Sequence, residues 1–382
     1  SPNQVPAASV FAGWVKWEVW KGKPNPPLPP QRYTVDDCEP DTCLIMRNDG
    51  AEGFIAGHLM PLLNAAPDEI AYVENATRAW DMAFYGLHLQ AGDRVITHGS
   101  EYASNYLALL QQSRRLGFEI DLVASDSSGQ IDVDALDALI GPKTKLIAIT
   151  HVPTQGGLVN PAEQVGEIAK KHGIIYLLDA CQSVGQMEVN VAKIGCDILS
   201  GTGRKFLRGP RGTGFLYVRK GMLEQIDPPF VDLLSAKWTE ANDFEFVRGA
   251  KRFENWESFV AGRVGLMEAV RYARRIGLAN IEARVTALGQ ELRGALSLVA
   301  GVSVHDLGQN KCGIVTFTKE GVEPKVLADA LRADGINVSV SNMTSARLDL
   351  EPRNLNTLVR ASVHYFNTQD EIARFVGAVE RI

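Results

Sequence analysis

An aspartate that closes an apolar run and a lysine in a glycine-rich turn can together run one kind of reaction. Asp179 follows Ile174-Ile175-Tyr176-Leu177-Leu178, where a carboxylate is expensive to bury without a partner. Lys205 lies further along, in a polar, glycine-rich turn between the apolar segments Asp197-Ile198-Leu199 and Gly214-Phe215-Leu216-Tyr217-Val218. A lysine amine condenses with an aldehyde to a Schiff base, and a buried carboxylate can hold a protonated pyridine nitrogen. A pyridinium held in this way accepts the electron pair left when a bond to an amino acid's Cα breaks. Taken singly, Asp179 also reads as a structural strand-end carboxylate and Lys205 as a solvated loop lysine.

The neighbours favour the paired reading. Thr202, Gly203 and Arg204 immediately precede Lys205 and offer a hydroxyl, backbone N–H groups and a guanidinium to a phosphate. Asn75-Ala76-Thr77 stands before an apolar-periodic run beginning at Arg78, so its N–H groups would open a helix and favour an anion there. A simple helix cap is the alternative for Asn75 or Thr77.

With these residues assembled, the sequence resembles the class V aminotransferases of the fold-type I pyridoxal-phosphate (PLP) enzymes. Cysteine desulfurases, selenocysteine lyases and isopenicillin N epimerase belong to that group. Relatives carry Ser-x-His-Lys followed by Gly-Pro-x-Gly-x-Gly; here Thr202-Gly203-Arg204-Lys205 and Gly209-Pro210-Arg211-Gly212-Thr213-Gly214 stand in those places. Their Asp-x-x-Gln is Asp179-Ala180-Cys181-Gln182. The resemblance implies that Lys205 is the Schiff-base lysine, that Asp179 pairs with the ring nitrogen and that Gln182 bonds the ring hydroxyl oxygen. It further implies phosphate contacts from Ala76, Thr77, Thr202 and Arg204, and stacking of Tyr102 on the ring, because Glu101-Tyr102 falls where relatives carry Glu-His. For Tyr102 an ordinary core aromatic is the alternative. Arg360, in Arg360-Ala361-Ser362-Val363, matches the arginine that holds the substrate carboxylate, a bidentate clamp by its chemistry. A structural salt bridge is the other reading of Arg360.

Three departures stand out. The asparagine that relatives direct to the ring oxygen falls on Thr154 or Gln155, and Arg204 replaces their histidine. After Arg252-Phe253-Glu254 the threonine that reaches the partner subunit's phosphate is missing from its usual place.

The segment 339–358 (SVSNMTSARLDLEPRNLNTL) contains no cysteine, whereas desulfurases carry a mobile one there whose thiolate takes sulfur from the substrate. Cys181, Cys196 and Cys312 read as buried fillers. The expected reaction is therefore β-elimination by a C–S lyase on a cysteine derivative, starting with abstraction of the Cα proton by Lys205. Transamination and epimerisation are the alternatives, the latter needing a second acid such as Tyr102, His151 or His364. A non-catalytic module that retains PLP is the reading outside enzymology. No G-x-G-x-x-G with a following acidic residue supports a nucleotide-binding protein.

These side chains need a frame. Short, wholly apolar strands at 95–97, 120–123, 145–150, 174–178, 197–199 and 214–218 alternate with helices at 104–116, 132–139 and 161–171, the last with Pro161 in its first position. That pattern predicts an α/β fold whose mostly parallel sheet lies between helices, with ligands at the carboxyl ends of its strands. Long helices at 261–276 and 279–298, strands at 313–318, 336–340 and 359–363, and helices at 325–333 and 369–379 predict a smaller C-terminal α+β domain. The expected division is an arm over 1–65, a large PLP-binding domain over 66–260 and a small domain over 261–382. In the arm, Trp14, Trp17 and Trp20 precede Pro24-Asn25-Pro26-Pro27, which reads as a short helix and an extended packing segment.

The 382 residues carry 39 Lys and Arg against 45 Asp and Glu, a net charge of −6, with no basic run to attract nucleic acid or an anionic membrane. No apolar stretch reaches the roughly 18–20 residues that span a bilayer. The odd number of cysteines, five, suggests reduced thiols and a cytoplasmic protein. No metal site is expected. By resemblance the partners are a small amino-acid substrate and a second copy in a homodimer.

Overall fold

The computed structural model describes residues 58–382, so the tryptophans and prolines of the arm lie outside the described residues. Its main sheet has seven strands: β1 (Ile70–Val73), β2 (Arg94–His98), β3 (Glu119–Val123), β4 (Thr144–Thr150), β5 (Ile175–Asp179), β6 (Ile198–Thr202) and β7 (Gly214–Val218). They lie in the order β1-β7-β6-β5-β4-β2-β3. Strands β3, β2, β4, β5 and β6 are mutually parallel, and β7 runs against both β6 and β1. The reversal has a local cause: β6 and β7 are joined by the glycine-rich loop that carries Lys205, and without a crossover helix the next strand must return antiparallel.

Alternate residues of the central strands feed two cores. Leu146, Ala148, Leu177, Ile198 and Leu216 face helices α2 (Ala76–Phe84) and α3 (Ala103–Leu116), where Trp80, Phe84 and Leu109 are buried. Ile147, Ile149, Tyr176, Leu178, Leu199 and Phe215 face the other way, onto α5 (Ala162–His172), α7 (Val260–Ile276) and the helix over 58–63. Coverage on both faces is why these strands read as unbroken apolar runs and not as alternating ones.

A second, antiparallel sheet, in the order β10-β11-β13-β12, contains β10 (Val302–Val304), β11 (Ile314–Lys319), β12 (Ser339–Asn342) and β13 (Thr357–Ser362). It packs on α8 (Leu278–Ser297), α9 (Pro324–Ala333) and α11 (Gln369–Arg381) through Val315, Phe317, Leu327, Val359 and Phe375. Between the two sheets in sequence lies the hairpin of β8 (Ala236–Glu240) and β9 (Asp243–Phe246), mostly exposed.

The elements differ from expectation at a few boundaries. The strand expected over 336–340 starts at Ser339, because Ile336 N still bonds to Leu331 O in the terminal turn of α9. Pro161 caps α5 from outside instead of opening it. Asp197 sits just before β6, where its Oδ2 accepts from Tyr176 N at 2.9 Å and its Oδ1 pairs with Arg219.

Candidate active site

The carboxyl ends of β5 and β6 meet the first turns of α2 and α3 at one cavity. Ala76, Thr77, Tyr102, Asp179, Thr202, Arg204 and Lys205, singled out in the sequence, all line it, with Asn75, Asn105 and Cys181. A wider cleft at the other end of the sheet is bordered by Thr144, Lys145 and Ile175, where β4 and β5 begin. Parallel sheets bind ligands at the opposite edge.

Two glycines permit the assembly. A Cβ at Gly214 would lie 2.7 Å from the Asn75 carbonyl carbon, so only glycine lets the start of α2 rest on β7. Gly185 has φ +95°, and a Cβ there would meet Leu207 N at 2.5 Å. The turn after Asp179 therefore presses against the segment just behind Lys205. Asn75 caps α2, its side chain accepting from Arg78 N at 2.9 Å. That cap leaves the N–H groups of Ala76 and Thr77, which have no intrahelical acceptor, open to an anion.

Asp179 is buried. Its Oδ1 accepts from Cys181 N at 2.8 Å and its Oδ2 from Asn105 Nδ2 at 2.8 Å. Burial raises its pKa above the usual carboxylate value, while the charge of Lys205 and these two donors pull the other way. The Lys205 amine lies 5.9 Å from the centre of the Tyr102 ring. Its loop is pinned by Gly209 N to Gly203 O at 2.7 Å and by Arg208, a non-glycine residue at φ +61°. The Arg208 guanidinium lies 5.1 to 5.3 Å from the rings of Tyr272, Tyr365 and Phe366, contacts that offset the left-handed backbone.

Thr154, Gln182 and Arg360 are not among the residues that line this cavity; they form a separate hydrogen-bonded chain, which starts at Gln182, next to Cys181 in sequence. Thr154 Oγ1 accepts from Gln182 Nε2 at 3.2 Å and from Arg360 Nη1 at 3.1 Å. Gln182 Oε1 and Arg360 Nε are buried without hydrogen-bond partners among the described residues. Arg360 forms no ion pair among the described residues, and burial lowers its pKa. Of the two positions left open by the sequence, Thr154 joins this chain. Gln155 is buried with both amide atoms unpartnered.

Cys181 corrects one expectation. It is not a core filler: it lines the cavity together with Lys205, and its side chain is only partly buried. Burial pushes the thiol up to about 11. Cys196 and Cys312 are buried as expected.

The residues Arg252, Phe253 and Glu254 serve packing. Glu254 Oε1 accepts from Tyr72 N at 2.8 Å and its Oε2 pairs with Arg263, while Arg252 donates to Leu223 O at 3.0 Å. Of the acids considered for epimerisation, only Tyr102 reaches the cavity. His151 is buried with burial depressing its pKa to about 4, and His364 Nε2 is bound to Phe206 O at 3.0 Å.

The family model of the class V aminotransferases matches residues 58–375, most of the chain. The chain belongs to this family. A protein of Methanothermobacter thermautotrophicus named as a probable cysteine desulfurase is 30% identical over 84% of this chain and 80% of its own. One of Xylella fastidiosa, with the same name, is 32% identical over 85% and 78%. The solved apo structure of a cysteine desulfurase from Thermococcus onnurineus NA1 superposes with a TM-score of 0.82 at 28% identity, covering 87% of this chain and 83% of that one.

Class V membership makes this a PLP-dependent enzyme with the fold-type I architecture. The cavity fits the cofactor. A helix N-terminus with open N–H groups, the Thr202 hydroxyl and the Arg204 guanidinium suit a phosphate; a lysine amine suits an aldehyde; a clamped carboxylate suits a ring nitrogen. Gln182 Oε1, orphaned and buried beside this set, is the kind of polar atom that a ligand satisfies.

Sequence reasoning missed Asn105 and Arg208 and misread Cys181. Asn105 stands in the first turn of α3, the helix that begins at the cavity.

Proposed function

We propose that this enzyme is a carbon–sulfur lyase, breaking the Cβ–S bond of a cysteine derivative by β-elimination without a persulfide-forming cysteine of its own. The state of the thiols carries this reading. The segment 339–358 has no cysteine, and burial raises the pKa of all three described thiols, to about 11 for Cys181 and Cys312 and further for Cys196. A neutral thiol is a poor sulfur acceptor. The names of the relatives support a cysteine-type substrate.

Bound PLP supplies an electron sink conjugated to the substrate's Cα. Lys205 Nζ would hold the cofactor aldehyde and, as a free amine, would be the base that takes the proton from Cα. Asp179 would pair with the ring nitrogen, Gln182 and Thr154 would serve the ring oxygen, and Tyr102 would stack on the ring. Ala76, Thr77, Thr202 and Arg204 would hold the phosphate. Arg360, half-buried with its Nε out of solvent and lacking an acidic partner among the described residues, would take the substrate carboxylate. The Cα–H and Cβ–S bonds break, sulfur leaves as a thiol carrying a proton, and hydrolysis gives pyruvate and ammonia.

In the same reading residues 66–260 bind the cofactor, 261–382 form a small domain and 1–65 an arm. The enzyme works in the cytoplasm as a homodimer. Exposed Trp238, Phe244, Trp256 and Phe259 support the dimer as an apolar surface for a second copy.

The test is product analysis. Cofactor-loaded enzyme given cystine, S-alkylcysteines, cysteine S-oxides or cysteine, with no keto acid, should form pyruvate and ammonia in equal amounts. Alanine accompanied by protein-bound persulfide, formed from cysteine at a comparable rate, would overturn the proposal.

A further inference from the structure

Behind Asp179 lies a second buried carboxylate. Glu101 is 4% exposed and turned inward beside the first residues of α3. Its Oε1 accepts from Thr150 Oγ1 at 2.6 Å, from Tyr102 N at 2.9 Å and from Asn105 Nδ2 at 2.9 Å, and its Oε2 lies 3.2 Å from Thr97 Oγ1. The same Asn105 nitrogen donates to Asp179 Oδ2 at 2.8 Å. An amide nitrogen has two hydrogens, and here both are spent, one on each carboxylate. The orientation of the Asn105 side chain follows: turned over, it would put its carbonyl oxygen against two carboxylates.

Asp179 is thus held by two donors of different kinds. The Cys181 N–H belongs to the backbone and fixes Oδ1, whereas Oδ2 depends on one side chain whose own direction is set by Glu101. Each Asp179 oxygen has used one lone pair, leaving the other free for the cavity. Burial acts against the charge of both acids and raises Glu101 to about 7. A donor shared between them favours the ionised form of Asp179.

We propose that Asn105, oriented by Glu101, is a positioning residue that aims Asp179 at the ring nitrogen of the cofactor and keeps it ionised. This rests on the reading that Asp179 faces that nitrogen. Asn105 then acts only through the nitrogen, and a cofactor without it should be indifferent to Asn105.

The experiment titrates the full chain, freed of cofactor, with PLP and with its 1-deaza analogue, in which carbon replaces the ring nitrogen. Absorbance of the bound ligand gives each Kd. The quantity read is the preference for PLP over the analogue. Asn105→Ala should reduce this preference by about tenfold, the scale of a lost hydrogen bond to a charged group. Asn105→Leu, which fills the same space, should do likewise and serves if the alanine variant does not fold. Glu101→Gln, whose amide oxygen still accepts from Asn105, should keep the preference. Equal weakening of both ligands by the Asn105 variants would make the residue merely structural and overturn the proposal; a preference kept in Glu101→Leu, which offers Asn105 no acceptor, would overturn the part given to Glu101. Asp179→Asn separates the two layers. If that variant leaves the preference intact, Asp179 does not face the nitrogen and the site reading itself falls. If only the Asn105 variants leave it intact, the site reading stands and this inference alone fails.

Discussion

The two walls of the active site are made by different means. The wall from the large sheet stands on buried strands, and its acids are tied several times over: Asp179 by a backbone N–H and Asn105, Glu101 by Thr150, Tyr102 N and Asn105. The wall from the small sheet reaches the site through one arginine, which makes one hydrogen bond of 3.1 Å to Thr154. Cofactor chemistry needs fixed geometry at the ring, and redundancy supplies it. The proposed capture of a substrate carboxylate needs unspent donors, and Arg360 Nε, buried without a partner among the described residues, would be one. With acids tied several times over on one side and a single tether on the other, the walls divide holding from binding in the proposed reading.

The largest effect should come from the rigid wall. Lys205→Ala should reduce kcat by roughly 10³-fold or more, the upper range for a lost general base. It should also abolish covalent attachment of the cofactor, read as loss of a borohydride-fixed adduct by mass spectrometry. Retained turnover would remove Lys205 from the chemistry altogether.

Rigidity on that side should also be visible in stability. Glu101 is raised from 4.5 to about 7, so the folded state prefers its protonated form. Its contribution is fully present below pH 4.5 and is lost as pH rises toward 7, a difference on the order of 3 kcal/mol. Glu101→Gln keeps the shape and cannot ionise. Relative to wild type, the Tm of the cofactor-free variant should therefore climb between pH 5 and pH 7.5. A flat difference would show that Glu101 stays at its ordinary value.

On the sparse wall, Arg360→Lys keeps the charge and loses the fork that meets a carboxylate at two points. KM should rise roughly 10- to 100-fold, from about 1.5–3 kcal/mol of charge-assisted bonding, with kcat changing less. An equal loss in kcat would place Arg360 in the chemical step and erase the division between the walls.

How far the sequence disclosed this site follows the same line. Asp179, Lys205 and Thr202 were legible because strand ends and glycine turns write themselves into local sequence, as Leu177-Leu178-Asp179 and the loop before Gly214 do. The central strands were legible because burial on both faces leaves unbroken apolar runs. Strands β8 and β9 were not, since mostly exposed strands bury no face and leave no alternation. Cys181 was misread because the cavity that it lines is closed by residues far along the chain. Asn105 was missed because its partner Asp179 is brought to it only by the fold.

The finest probe of the comparison is Thr154, where the walls touch. Its hydroxyl accepts from Gln182 Nε2 and Arg360 Nη1, so both acceptor sites are filled and its own proton is free to point into the active site. Thr154→Val preserves shape while removing both acceptors and that donor. Arg360 would lose its one tether and Gln182 its one side-chain partner, each a loss of about 1 kcal/mol. If the tether holds Arg360 ready for substrate, KM should rise by about fivefold while cofactor affinity falls by a smaller factor. If cofactor affinity falls more than KM rises, Thr154 serves the cofactor-holding wall on which it stands, and Arg360 does not depend on this tether.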